Sequence, residues 1–540
     1  MSENRPRPES QRPDSSRDES PAIHATGDSG FAARVRSAVA WRYGGQVAAQ
    51  VITWSSTILV VRLLDPSDYG LFAMSQVLVT ALAFMNGYGF ATSLIPAAEV
   101  GRRDIAQVFG LLLLLNCGLA AALLLLAPFA ASHFREPQVA EILRVQVALF
   151  LVVPFIALPE AILSRRLRFR PQALANMAGA VTAASVALLL AWMGQGVWAL
   201  VYAPILAFAA RALALSIAAP VYTIPSFDFR GARAIITFGG ALTLCQFFWI
   251  IQSQSDVFIA GRSFGTYQLG LYSEALFVAL IVSGRFLPPI NEVAFPAYAE
   301  LHQAGKGLGP YFLRVQRTVA LVVFPLYVGL ALTAQETVAT VFGEKWLGMA
   351  PLLQNLAIVM PLFSLHIVCS PATNAMGRPR IYLATSILGA ALFAGCFLVG
   401  VQFGPEGLTW AWWVAAPALL GATLALTLPA VGLAPLDLAR ALLPPVAASA
   451  AMALGVAGAG AALPELAAWW RLAVLVPVGG AVYLATLVLV WPQVVRDSWA
   501  MLRAAREEGP VQPDPAPDAV PPSAAASAPA PADRRQTIAG

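Results

Sequence analysis

The residues able to do chemistry in this chain are polar side chains set at helical spacing inside apolar runs. Gln46, Gln50, Thr53 and Thr57 recur at intervals of four, three and four, which puts them on one face of a helix. Gln246, Trp249, Ser253 and Asp256 form a similar stripe about 200 residues later. Glu274 and Arg285 lie eleven residues apart, three turns along another helix and on one face of it. Asn86 and Tyr88 occupy the run that corresponds to it in the first half. Ionisable groups at such depth cost roughly 2.5–3.5 kcal/mol on translocon scales, so they turn toward a bundle interior or a watery cavity. The chemistry on offer is the sheltering of a polar cargo. A guanidinium such as that of Arg285 is shaped to grip phosphate oxygens.

Each candidate also has a plainer reading. The glutamines, Asn86, Tyr88 and Ser253 can bond one another as interhelical glue. Arg285 can pair with Glu274 or with a carboxylate on a neighbouring helix. Arg62 and Arg262 fall at span ends, where long side chains snorkel to the interface. Asp256 can pair with either arginine or bind a coupling cation. Pro288, Pro289 and Pro296 can act as hinges or simply end a helix.

The elements that must position these groups follow from composition. Apolar residues make up 58% of the 540 and charged residues only 12%, about half the charge of a soluble protein. The apolar runs are long and do not alternate, so they are read as helices, each needing roughly 20 residues to cross about 30 Å of hydrocarbon. The pattern gives an all-α polytopic membrane protein of about 14 transmembrane helices. Lysines and arginines divide unevenly between alternate connections. Arg102, Arg103, Arg165, Arg166, Arg168, Arg170, Arg314, Arg317, Arg378 and Arg380 fall on one side; Arg62, Arg135, Arg144, Arg262, Lys345 and Arg471 fall on the other. The bias places both termini in the cytoplasm.

An internal repeat divides the bundle. Tyr43-Gly44-Gly45-Gln46, Arg62 and Tyr69-Gly70-Leu71-Phe72 are echoed by Phe238-Gly239-Gly240-Ala241, Arg262 and Leu269-Gly270-Leu271-Tyr272. Arginine precedes glycine by eight residues in both copies, while the earlier gap differs by five. The expected organisation is a disordered cytoplasmic tail (1–36), a six-helix lobe (37–222), a second six-helix lobe (223–432), two additional helices (433–495) and a Pro/Ala-rich tail (496–540). Paired lobes suit alternating access to a central site, here a cavity expected between the first, second, seventh and eighth spans.

Several function classes lose ground. No phosphate-binding Walker sequence is present, so ATP hydrolysis is not expected. The histidines (His24, His133, His302, His366) and the cysteines (Cys117, Cys245, Cys369, Cys396) show no ligand spacing, so no metal or other cofactor is expected. The net charge of +5 comes from arginines that topology explains, so no nucleic-acid partner is expected. The first 30 residues are too polar for a cleavable signal. The loops are too small for a membrane-embedded polysaccharide polymerase or glycosyltransferase, so the chain is read as a non-enzyme. A cation-coupled multidrug-type exporter stays open as an alternative.

The stretches Arg62-Leu-Leu-Asp-Pro-Ser-Asp-Tyr-Gly-Leu-Phe, Leu163-Ser-Arg-Arg-Leu-Arg-Phe169, Asp256-Val-Phe-Ile-Ala-Gly-Arg-Ser-Phe-Gly-Thr-Tyr-Gln-Leu-Gly-Leu-Tyr and Phe295-Pro-Ala-Tyr298 resemble the Wzx-type polysaccharide transporters of the multidrug/oligosaccharidyl-lipid/polysaccharide flippase superfamily. The resemblance covers about residues 40–430. It implies a flippase in the bacterial inner membrane that carries oligosaccharide on undecaprenyl pyrophosphate between leaflets. Its partners would be membrane lipids, the lipid-linked cargo and the polymerase and glycosyltransferases of the same polysaccharide. On this reading Gln46, Gln50, Asn86, Tyr88, Gln246, Ser253 and Arg285 line the cavity. Arg62, Asp256, Arg262 and Glu274 serve coupling or gating.

Overall fold

The computed structural model describes residues 28–92, 94, 101–166, 168–220, 223–227, 233–464 and 466–496. Side chains at 28–43 and 233–247 lie outside that description. The first group of helices is α1 (Asp28–Leu63), α2 (Pro66–Ala83), α3 (Tyr88–Thr92), α4 (Arg102–Phe134), α5 (Pro137–Val152), α6 (Pro154–Arg165), α7 (Phe169–Trp192) and α8 (Val197–Ala218). The second is α9 (Arg233–Ser263), α10 (Thr266–Gln303), α11 (Gly309–Leu332), α12 (Ala334–Val341), α13 (Ala350–Ile367), α14 (Ser370–Ala375), α15 (Pro379–Gly400) and α16 (Gly404–Val431). Two more follow, α17 (Pro435–Ala462) and α18 (Ala468–Val490). No strand occurs among the described residues. From Leu487 onward the chain forms a separate unit, described only as far as residue 496.

The protein is an all-α, multi-pass membrane protein. Twelve described segments are long and apolar enough to cross a bilayer. One of them, Pro379–Val431, contains both α15 and α16, and α9 is not among the twelve, which is compatible with the expected count. Some spans are broken. α5 and α6 divide at Pro154, because proline lacks the amide that would continue the ladder. Others exceed expectation. α10 runs unbroken for 38 residues with Pro288, Pro289 and Pro296 inside it, so these prolines do not end the helix. α1 begins at Asp28 and takes in residues assigned to the tail; Ala32, Ala33, Arg34 and Arg36 are good helix formers. The remaining tail residues, 1–27 and 497–540, lie outside the described residues.

Helix starts follow a repeated local code. The Asp68 carboxylate accepts the amide of Asp65 at 3.1 Å, Asp104 that of Gly101 at 2.9 Å and Asp437 that of Ala434 at 3.0 Å. Each acid sits in the first turn, where it satisfies an orphan donor and opposes the helix dipole. Pro66 and Pro435 open two of these helices, at positions whose amide would have no intrahelical partner.

Packing joins the two groups asymmetrically. α2 lies along both α9 and α10, whereas α1 packs chiefly on α7. The groups are fastened where α1 ends. Arg62 Nε donates to the Val341 carbonyl at 2.9 Å, and Arg62 Nη2 donates to the Thr340 carbonyl. Trp346 Nε1 donates to the Val61 carbonyl at 3.0 Å, and Lys345 pairs with Asp65 at 2.9 Å. His133, near the end of α4, stacks on Phe258 of α9 with ring centroids 4.2 Å apart. The bulkiest of the fully buried side chains, Trp346, Tyr272, Tyr298, Tyr327 and Phe312, belong to the second group, where α10, α11 and α13 pack together.

Candidate functional site

A strongly polar cavity of about 580 Å³ opens beside α1. Gln46 and Gln50 supply one wall, Gln172 and Asn176 of α7 the facing wall, and Arg285 of α10 enters from the second group. The four-residue spacing of the first pair repeats in the second, so each helix presents two amides on one face. At the cavity's base, Arg211 Nη2 donates to both carboxylate oxygens of Glu160, at 3.0 and 2.9 Å. Gln172 Nε2 donates to the Glu160 carbonyl at 2.9 Å and to Ser164 Oγ at 2.8 Å. Glu160 therefore neutralises Arg211, although Arg211 Nε is buried without a partner. Arg285 is exposed to the cavity and, among the described residues, has no hydrogen-bond or ion-pair partner. It supplies the cavity's unbalanced positive charge.

Two further cavities continue from this one. A central space of about 500 Å³ shares Thr53 with the first and is lined by Ser56, Gln76, Ser253, Gln254 and Glu274. Glu274 is 6% exposed, lies near Tyr69 and has no hydrogen-bond or ion-pair partner among the described residues. A third space, of about 360 Å³, lies within the second group and shares Ser253, Leu276 and Leu280 with the central one.

Gln46, Gln50 and Arg285 are thus together, and Ser253 borders the two adjoining spaces. Asn86 and Tyr88 are not in the lining, although Tyr88 lies near the Arg211–Glu160 pair. The Asn86 side-chain oxygen accepts the Tyr88 amide at 3.2 Å, and its carbonyl accepts Asn116 Nδ2 at 2.9 Å. Tyr88 packs against apolar residues of α4, α6 and α8. The Gln246 side chain lies outside the described residues. Asp256 meets neither arginine; it accepts Tyr272 Oη at 3.0 Å, and Trp412 Nε1 donates to the same hydroxyl at 3.1 Å. Arg262 is exposed at the end of α9, and Arg62, also exposed, grips two carbonyls.

The sequence reading did not place Glu160, Ser164 and Gln172 in the site. Glu160 was a visible signal, an acid inside an apolar span. Its pairing with Arg211, 51 positions away, required the packing of α6 on α8. The cavity's first-half wall is consequently α1, α6, α7 and α8, where the second span had been expected.

A family model described as "Polysaccharide biosynthesis protein" matches residues 59–351. The chain belongs to this family. Among curated relatives, it is 26% identical over 419 residues to the teichuronic acid biosynthesis protein TuaB of Bacillus subtilis (strain 168), covering 75% of this chain and 85% of that one. It is 24% identical over 358 residues to the lipopolysaccharide biosynthesis protein WzxC of Escherichia coli (strain K12), covering 65% and 72%. The succinoglycan biosynthesis transport protein ExoT of Rhizobium meliloti (strain 1021) is 24% identical over 389 residues, covering 71% and 78%. Among solved structures, the lipid II flippase MurJ in an inward closed conformation superposes with a TM-score of 0.71 at 12% identity, covering 84% of this chain and 98% of that one. An inward-facing multidrug resistance MATE transporter gives 0.58 at 16% identity, covering 71% and 94%. At such identity the likeness establishes the fold alone.

Proposed function

We propose that this protein is a flippase that moves a lipid-linked oligosaccharide, on a polyprenyl pyrophosphate carrier, across the bacterial inner membrane by alternating access. The observation that carries the reading is the unpaired Arg285 among the amides of Gln46, Gln50, Gln172 and Asn176, in a chain of a polysaccharide biosynthesis family. A sugar–pyrophosphate head cannot cross hydrocarbon, whereas its tail is at home there. A wet cavity takes the head while the tail stays in lipid. Arg285 is assigned to the pyrophosphate and the amides to adjacent hydroxyls.

The positive-inside bias makes the Arg62 end extracytoplasmic and both termini cytoplasmic. The fastened seam at Arg62 and Trp346 is then the outer seal, which the two six-helix lobes open and close as they rock. Expected partners are the polymerase and glycosyltransferases of the same polysaccharide. The chain itself performs no bond chemistry on this reading.

Outward movement of each negative charge gains roughly 2.3 kcal/mol per 100 mV of inside-negative potential. Glu274, buried and unpartnered in the central space, supports a second drive, coupling to a proton or sodium ion. Liposomes in which potential and each ion gradient are set separately distinguish the two. In a strain lacking the protein, Arg285→Gln should leave lipid-linked saccharide on the cytoplasmic leaflet, and Arg285→Lys should restore part of the transport. Full export by Arg285→Gln disposes of the reading.

A further inference from the structure

The third cavity has a chemistry unlike the first. None of its described lining residues is Asp, Glu, Lys or Arg. It is bordered by two indoles, Trp249 and Trp412, and by a ring of hydroxyls and amides. Its volume of about 360 Å³ falls at the lower end of the roughly 300–1,000 Å³ of small-molecule sites.

Two residues of its lining carry a buried polar atom without a partner among the described residues, Asn291 Oδ1 and Thr427 Oγ1. Buried polar atoms are normally paired, so both keep bonding capacity to spare beside this cavity. His366 lines the same space, with Nδ1 held by Thr423 Oγ1 at 2.9 Å, which leaves Nε2 as its other polar atom. Gly284 also borders this space, while the next residue, Arg285, borders the first cavity. Two consecutive residues of α10 therefore border different chambers, one neutral and one cationic.

We infer that this neutral chamber is a saccharide subsite for uncharged sugar units of the cargo, separate from the site of its pyrophosphate. The inference rests on the flippase reading above. A pyranose ring presents an apolar C–H face and a rim of hydroxyls. The face packs on an indole. Each hydroxyl both donates and accepts, which suits Asn291 Oδ1 as acceptor and Thr427 Oγ1 as either. Pyrophosphate finds no cation here, and a uronic acid would bury its carboxylate without a partner. The subsite thus selects for neutral sugar units, and Arg285 selects for the carrier.

The decisive variant uses space at Gly284. A Cβ added there meets nothing within 4 Å, and replacing a mid-helix glycine does not weaken the helix. The full-length protein in lipid nanodiscs is titrated with neutral trisaccharides of glucose, galactose, mannose and rhamnose, with matched uronic acid trisaccharides, and with inorganic pyrophosphate. Binding is read by saturation-transfer NMR. At least one neutral trisaccharide should bind, its uronic counterpart should bind at least tenfold more weakly, and Gly284→Phe and Asn291→Leu should each weaken the neutral ligand at least tenfold. Gly284→Ala should retain it. Pyrophosphate binding should survive Gly284→Phe and be lost in Arg285→Gln. Absence of neutral binding to the unaltered protein, or binding that persists in Gly284→Phe, overturns the subsite. Loss of the pyrophosphate result alone overturns the flippase assignment of Arg285 and leaves the saccharide result standing.

Discussion

Gly70 and Gly270 face one another where α2 crosses α10, each against the carbonyl that opens the other's helix. A Cβ on Gly70 would run into the Thr266 carbonyl oxygen, and one on Gly270 into that of Pro66. These are the glycines that follow Arg62 and Arg262 by eight residues in the internal repeat. The repeat is therefore written into the crossing itself, where the equivalent glycines meet.

Replacing either glycine should force the crossing apart, because the obstructing atoms are backbone and cannot rotate away. Gly70→Val and Gly270→Val should each destabilise this conformation by about 1–3 kcal/mol, the usual cost of overpacking. Thermal unfolding in detergent measures the loss. Spin-label distances across the Arg62 end should lengthen. Unchanged distances would mean that the crossing is not part of the seal.

Arg62 holds two carbonyls at the end of α12 and stands at the same seam as Trp346. Arg62→Gln should open the seam more often and raise maleimide labelling of a cysteine placed at Thr53. Lys345→Ala is the control. Its pair with Asp65 is largely exposed, worth about 0.2–1 kcal/mol, and labelling should barely change.

Glu160 cancels the charge of Arg211. Glu160→Gln should leave two unbalanced guanidiniums in the cavity and tighten pyrophosphate binding several-fold. Transport should then slow, since a head held too tightly in one state is released late. Titration calorimetry and a liposome assay, run together, report both effects. Weaker pyrophosphate binding in this variant would place the anion elsewhere.

Tyr272 links Asp256 to Trp412. Tyr272→Phe removes one hydroxyl and leaves the indole N–H without its acceptor and the carboxylate without this donor. About 1–3 kcal/mol of stability per orphaned group should be lost. A chemical-denaturation series should show that loss with the helix content unchanged. Stability equal to the parent would mean that water replaces the hydroxyl.

The sequence by itself determined the solvent, the helices and the repeat. Long apolar runs have one stable form in lipid, where every backbone group must be paired within the segment, and Gly70 and Gly270 were visible as equivalents from their spacing to arginine. The stripe of Gln46 and Gln50 also survived folding, because a face is fixed by the helical period alone. Tertiary structure decided which stripes meet. Asn86 and Tyr88 had the right types on the expected span, yet both fall outside the lining, Tyr88 among apolar residues beside the Arg211–Glu160 pair. Arg285 was legible as an expensive residue, whereas its freedom from Glu274 was not. The separation of a cationic chamber from a neutral one hangs on two adjacent residues, Gly284 and Arg285, whose different surroundings only the packing of neighbouring helices creates.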